Sequence, residues 1–217
     1  MMNVKIVFLE ISSDSAIDGL IKLVSIEKQE KIKRFRFDID RKLCLYSELL
    51  VRYHACQELS LSNKEIVFGK SKNGKPFLLD YPKFYFNISH TRNAIAIAFS
   101  NSAIGIDIES IKPIDLAIAK RFFTSFEQKY IISHDNPDYA FYKVWTKKEA
   151  YIKHIGTGLS TPLNSFNVLD DSLGTMMYTF SVEQYIISIC CNGLIKFKPI
   201  ISTIAEDELH LLFNEIT

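Results

Sequence analysis

Three short segments constrain this chain more than anything else in it. Phe84 to Ile88, Ala94 to Phe99 and Ile104 to Ile108 follow one another closely, and each is a strand candidate. A period of two is the mark of a strand. The stretch Ser89 to Asn93 between the first two is short enough to serve as the turn of a hairpin. Val4, Ile6 and Phe8 show that period near the start, and Met176 to Phe180 and Gln184 to Cys191 show it near the end. Helical spacing fills the intervals. Lys28 to Phe37 turns Ile32 and Phe35 inward, and Arg41 to Leu59 follows Asp38 and Asp40, either of which suits a cap. Leu116 to Phe123 is helical. Thr124-Ser125-Phe126-Glu127 is a capping box that opens another helix. The longest helix starts at Asn136-Pro137-Asp138 and stops at Gly156 and Gly158. Asn73-Gly74 is hairpin chemistry, since both residue types tolerate positive φ. Helices interleaved with hairpins predict an α+β fold of antiparallel strands with packed helices.

Composition narrows the function classes. The 217 residues carry 26 Lys and Arg against 25 Asp and Glu, a formal charge of +1, which argues against a bulk nucleic-acid binder. No run approaches the roughly 18 apolar residues of a membrane span. The start, MMNVKIVFLEIS, reads as a strand and not as a signal peptide. Cys44, Cys56, Cys190 and Cys191 form no C-x-x-C and suggest neither zinc nor a disulfide framework. Reduced thiols packed as small hydrophobes in a cytoplasmic protein are the expectation.

Two segments carry chemistry. In the strand Ile104-Gly105-Ile106-Asp107-Ile108-Glu109, the glycine and both acids share one face and the isoleucines the other. Two carboxylates one pleat apart make half of a hard-cation site, with room for a ligand beside Gly105. In the long helix, Trp145, Glu149 and Lys153 are spaced four apart along one side. Glu149 sits at the edge of the apolar stripe, where partial desolvation favours a cation or a raised pKa. His90 beside Ser89, at the strand-to-turn junction, has the chemistry to donate to a phosphate oxygen. Read singly, Lys75 after the tight turn and Lys28 and Lys31 on their helix are ordinary solvated charges.

Taken together and in order, these segments resemble the Sfp-type 4′-phosphopantetheinyl transferases. The motifs are GKPF at Gly74 to Phe77, FNISH at Phe86 to His90, GIDIE at Gly105 to Glu109, and WTKKEAYIK at Trp145 to Lys153. KPIDLAIAKRFF at Lys112 to Phe123 and GTGLSTPLNSF at Gly156 to Phe166 add to the likeness, which covers roughly residues 28 to 166. The resemblance implies transfer of the phosphopantetheine arm of coenzyme A to a serine of an apo acyl or peptidyl carrier protein, releasing adenosine 3′,5′-bisphosphate. It implies Mg²⁺, with Mn²⁺ as the alternative, held by Asp107, Glu109 and Glu149. Glu149 is then the general base, directly or through a metal-bound water. Lys153 steadies developing charge, Ser89 and His90 contact the pyrophosphate, and Lys28, Lys31, Lys75 and Pro76 clasp the nucleotide end, chiefly its 3′-phosphate. Where the family often has an arginine on the second helix, this chain has Leu43, flanked by Arg41 and Lys42. The implied fold is a pseudo-dimer of two similar α+β subdomains, divided here as 1–103 and 104–217, with the active site in the cleft between them. Leu116 and Phe122 are candidates for the carrier-protein surface. A monomer with no nucleic-acid or membrane partner is expected, and the sort of carrier, from a peptide, polyketide or fatty-acid synthase, stays open.

Two other readings compete: a Mg²⁺-dependent nuclease or phosphodiesterase using the same carboxylates, and a non-catalytic carrier-binding module. The first lacks a long basic stripe. The second has no reason to keep Asp107, Glu109, Glu149 and Lys153 together. The near-zero charge is itself a cancellation. Residues 1–103 hold 16 basic and 11 acidic side chains, and residues 104–217 hold 10 and 14. Such a split suits an anionic ligand guided between unlike walls.

Overall fold

The computed structural model describes residues 4–11, 17–170, 173–192 and 199–216, with the backbone alone at residues 4–6 and 159. The first half runs β1 (Val4–Glu10), α1 (Asp18–Ile21), α2 (Ile26–Lys33), α3 (Asp38–Leu59), the small hairpin β2 (Phe68–Lys70) and β3 (Pro76–Leu78), then β4 (Tyr85–Thr91) and β5 (Ala94–Ser100). The second runs β6 (Ile104–Ser110), α4 (Ala117–Phe122), α5 (Ser125–Ser133), α6 (Pro137–Ile155), β7 (Thr175–Val182) and β8 (Tyr185–Asn192). The tail adds β9 (Ile200–Ile204) and α7 (Leu209–Asn214).

The two halves repeat one design. In the first sheet the order is β4-β5-β1, and in the second it is β7-β8-β6, with all of these pairs antiparallel. In each half a first strand leads into helices and returns as a hairpin whose last strand is central. The pseudo-dimer implied by the resemblance is therefore present in the strand order. One boundary differs from expectation. β9 pairs in parallel with β1 as a fourth strand of the first sheet, and Leu209 and Phe213 enter the first half's core. Glu206 is buried against Lys42 (2.8 Å) and accepts from the Tyr46 hydroxyl (3.1 Å). The tail after Lys198 thus crosses back, and the second half's own structure ends with β8.

Alternation decides how the layers stack. Along β5, Ile95, Ile97 and Phe99 face α3, whose Leu45, Tyr46, Leu49 and Leu50 are fully buried. Ala94, Ala96 and Ala98 face the other way, against Ile104, Ile106 and Ile108 of β6 and Ile187 and Ile189 of β8. Alanines bring the two sheets close, and this inter-sheet core joins the halves. On the far side α6 covers the second sheet through Phe141 and Val144, which pack with Ile186. The expected capping box is formed: Glu127 accepts from the backbone and hydroxyl of Thr124, each at 2.9 Å. α6 is capped by Asn136 (3.0 Å to Tyr139 N) and closed by left-handed Gly156. All four cysteines are free and buried, and burial pushes the Cys190 thiol to about 12 and that of Cys191 to about 11. Among the described residues no helix is long and apolar enough to cross a membrane.

Two turns differ from the sequence expectation. β4 continues through Ser89 and His90 to Thr91, leaving a tighter turn with Arg92 at φ 38°. The reason lies in Ser89 and Thr91, whose hydroxyls are bonded to β6 and hold the strand extended. In the β2–β3 hairpin, Ser71 N donates to Lys75 O (2.9 Å), and Gly74 takes positive φ while Asn73 does not.

Candidate active site

The site is built where two sheet edges meet. β4 and β6 are edge strands, and an edge strand leaves backbone groups unpaired. Side chains from one face of β4 supply the partners. Asn87 Oδ1 accepts from Ile106 N (2.8 Å), Ser89 Oγ accepts from Ile108 N (3.4 Å), and Thr91 Oγ1 donates to Glu109 Oε2 (3.0 Å). Ser89 also donates to Asp107 Oδ1 (2.8 Å). The polar face of β6 is therefore not in water, and Asp107 is 5 % exposed.

α6 closes over that face because of Gly105. A Cβ there would fall against Ala150 O and 2.5 Å from His154 N, both backbone atoms. The room beside Gly105 is thus filled by the helix, where the sequence reading had left space for a ligand. The close approach sets Lys153 on the strand: its Nζ donates to Asp107 Oδ1 (2.7 Å) and Ser89 Oγ (2.8 Å). Glu149, one turn earlier, is half-buried.

Charge in this pocket is strained. Burial raises the Asp107 carboxyl above its ordinary range although Lys153 and Ser89 pull it down. Burial and then Asp107 raise Glu109, with Thr91 opposing. Burial and Asp107 likewise raise Glu149 against Lys153. Asp107 Oδ2 is buried with no hydrogen-bond partner. An unsatisfied carboxylate oxygen beside two further acids suits a hard cation. Among the described residues, however, no three His, Cys, Asp or Glu side chains form a ready-made metal cage. The donor set fits a cation that takes its remaining ligands from elsewhere, as Mg²⁺ commonly does.

Next to this seam lies a cleft of about 480 Å³ whose lining comes wholly from residues 22–88. Lys28, Lys31 and Pro76 line it, as do Lys22, Lys64, Lys70 and Arg52, against Glu27 and Glu48. The cleft is electropositive and is lined by the first half alone, the half expected to hold the nucleotide end. His90 lies on the opposite face of β4 from Ser89, near both sites. Desolvation lowers its pKa, as do Lys153, Lys28 and Lys31, while Asp40 opposes them. The structure therefore joins Ser89, Asp107, Glu109, Glu149 and Lys153 in the seam, and Lys28, Lys31 and Pro76 in the cleft.

Lys75 stands apart. Its ammonium donates to the carbonyls of Ile104 (2.8 Å) and Lys153 (2.6 Å), not into the cleft. The cations flanking Leu43 are also engaged: Lys42 is buried on Glu206, and Arg41 pairs with Asp38 at 3.0 Å. Leu116 and Phe122 are half-buried, Phe122 edge-on to Trp145 at 5.8 Å. Ile118 on α4 and Phe126 and Ile132 on α5 are exposed apolar residues of that region.

Sequence reading missed two groups. Lys148 is fully buried, paired with Glu127 (2.8 Å) and donating to the carbonyls of Leu163 (2.7 Å) and Phe166 (2.6 Å). It fastens the segment after α6 to the helix beside Glu149. Its signal was spacing, since Phe141, Val144 and Lys148 fall on one face. Glu48 and Arg52, paired at 2.9 Å at the edge of the cleft, likewise sit i, i+4 on the buried side of α3.

Comparisons with known proteins identify the family. Residues 12–102 match the family described as 4′-phosphopantetheinyl transferase, N-terminal, and residues 103–197 match the 4′-phosphopantetheinyl transferase superfamily. The 4′-phosphopantetheinyl transferase psf-1 of Bacillus pumilus is 41% identical over 152 residues, 69% of this chain and 65% of that one, so about a third of psf-1 lies outside the match. The ffp transferase of Bacillus subtilis is 40% identical over 158 residues, covering 72% and 70%. Sfp of Bacillus subtilis (strain 168) is 41% identical over 153 residues, covering 70% and 68%. With both halves matched and identity near 40% over most of its length, the chain belongs to the 4′-phosphopantetheinyl transferase superfamily.

Proposed function

We propose that this protein moves phosphopantetheine from coenzyme A to a serine of an apo acyl or peptidyl carrier protein, releasing adenosine 3′,5′-bisphosphate. The observation that carries the reading is the buried carboxylate–lysine seam beside an electropositive cleft, joined through β4. The cleft takes the nucleotide end, with Lys28 and Lys31 on its phosphates and Pro76 against its body. The pyrophosphate then reaches the seam past Ser89 and His90. His90, near the end of β4, has a ring N–H to donate to the pyrophosphate.

The carrier serine oxygen attacks the phosphorus bearing the pantetheine arm, and the bond from that phosphorus to the bridging oxygen breaks. The electron pair of the broken bond leaves with the adenosine bisphosphate. Glu149, its proton affinity raised by burial and by Asp107, accepts the serine proton. Lys153 is fixed by Ser89 and Asp107 where negative charge grows on the phosphates. Asp107, Glu109 and Glu149 are the residues that would hold Mg²⁺, or Mn²⁺ in its place, which when bound neutralises pyrophosphate charge. Ile118 and Phe126, exposed near α6, are apolar residues open to the carrier. The enzyme acts as a cytoplasmic monomer with no nucleic-acid or membrane partner.

The test is to incubate the protein with coenzyme A, Mg²⁺ and several apo carrier domains and to weigh the carriers intact. A phosphopantetheine mass gain is expected, and it should disappear in folded Glu149→Gln and Asp107→Ala. No gain on any carrier would refute the function, and gain at the wild-type rate in either variant would refute the site.

A further inference from the structure

We propose that the β2–β3 hairpin positions helix α6, with Lys75 and Asn73 as positioning residues that set Glu149 and Lys153 against β6. The inference rests on the active-site reading above, and it gives Lys75 a different task from the phosphate contact implied by its motif. The last carbonyls of a helix have no partners within it. At the end of α6, Gly156 N closes on Ile152 O (2.9 Å), and two further partners come from the other half of the molecule. Lys75 Nζ donates to Lys153 O (2.6 Å), and Asn73 Nδ2 donates to Gly156 O (2.7 Å). A cation there is also favoured by the helix dipole.

The same ammonium donates to Ile104 O (2.8 Å), at the start of the strand that bears Asp107 and Glu109. One side chain thus ties the carboxylate strand to the carboxylate helix. Lys153 is held at both ends by the first half, its carbonyl by Lys75 and its ammonium by Ser89. Phe68, Gly69, Lys70 and Pro76 of the same hairpin line the cleft, so a ligand there rests on the element from which α6 hangs. Two of the three ammonium protons of Lys75 are spent in a half-buried place. Desolvation and then Lys153 lower its pKa to about 8, a setting made for carbonyls and poor for holding a phosphate.

The experiment compares coenzyme A with 3′-dephospho-coenzyme A in steady-state transfer by wild type, Lys75→Met, Lys75→Gln and Asn73→Ala. Hydrogen exchange of the last turn of α6 is followed in parallel. For Lys75→Met, kcat should fall about 10- to 100-fold, as expected for misplaced catalytic groups. KM for coenzyme A should stay within about 3-fold, and the preference for coenzyme A over the dephospho form should not change. Asn73→Ala should shift kcat in the same direction, and both variants should speed exchange at residues 152–156. Loss of the coenzyme A preference with a raised KM and unchanged kcat would overturn the proposal and make Lys75 a phosphate ligand. Wild-type kinetics and exchange in both Lys75→Gln and Asn73→Ala would overturn it as well. If Lys75→Met does not fold, those two variants decide. Absence of transfer by the wild type would reject the function, and the exchange measurement would still judge the hairpin.

Discussion

Gly105→Ala is the most demanding test of how the active site is assembled. Gly105 lies mid-strand, and the methyl group it lacks is replaced by the backbone of α6. An added Cβ would meet His154 N at 2.5 Å, and the carbonyl of Ala150 more closely still. Ordinary contact begins near 3.4 Å, so helix and strand must separate by about 1 Å or more. Neither neighbour is a side chain that can swing away. The helix cannot move alone, because Lys153 is bonded to Asp107 and Ser89 while its carbonyl is bonded to Lys75. Hydrogen bonds of 2.6 to 2.8 Å do not survive such a shift with their geometry intact.

Overpacking of this kind costs about 2 kcal/mol. In a chain of this size that is a drop in Tm of roughly 4–8 °C. The effect on rate should be larger in proportion, since a displacement of about 1 Å at reacting groups can cost roughly 100-fold. Thermal melting followed by circular dichroism gives the first quantity, and the carrier mass-shift assay gives the second. Gly19→Ala serves as the control, because a Cβ at Gly19 meets nothing within 4 Å. A Gly105→Ala protein with wild-type Tm and wild-type turnover would refute the argument that direct contact between α6 and β6 positions Glu149 and Lys153.

Two further outcomes follow from the charges. Glu149→Gln removes a carboxylate whose pKa is raised by burial and by Asp107, so in chelator the variant should melt no lower than wild type. A raised folded pKa makes wild-type stability fall as pH climbs from about 4.5 toward that value, and the variant should lose this component of the slope. Saturating Mg²⁺, at about 100 times Kd, should stabilise the wild type by about 2.7 kcal/mol and leave Glu149→Gln nearly unmoved. An equal Mg²⁺ shift in both proteins would remove Glu149 from the metal site. Lys148→Met leaves Glu127 buried without its cation, which costs about 3 kcal/mol. It should also open the 157–165 segment to proteolysis, and replacing Glu127 by Gln in the same protein should restore part of the loss. A Lys148→Met protein as stable and protease-resistant as wild type would show that the pair does not fasten the segment.

Local features were legible in the sequence because they depend on neighbours in the chain. The capping box at Thr124, the cap at Asn136, the stop at Gly156 and the two faces of GIDIE all have their causes within a few residues. The sheet-to-sheet relation was not legible. Ile95 and Ala96 both read as strand residues, and nothing local says that isoleucines go to α3 and alanines to the second sheet. The internal repeat is equally silent in sequence, since it exists in strand order and not in residue identity. Lys75 shows the limit most sharply. Its motif places it after a tight turn, but its partners are carbonyls 29 and 78 residues away.

This long reach explains why the active site stands at the junction of two similar halves. Neither half holds a complete constellation. The first contributes a cation-lined cleft, Ser89 and a lysine that caps a foreign helix. The second contributes three acids that repel one another and Lys153, which pairs with Asp107 and is held in turn by Ser89 of the first half. Burial of Asp107 with an unsatisfied oxygen costs stability, and a structure retains such a group only where surrounding contacts over-determine it. Here they do so on three sides: the inter-sheet core behind β6, the β4 hydroxyls along its edge, and α6 on its face. The positions of the carboxylates are therefore set by the protein's own contacts. A cation entering this seam meets carboxylates whose mutual repulsion and unsatisfied oxygen it relieves.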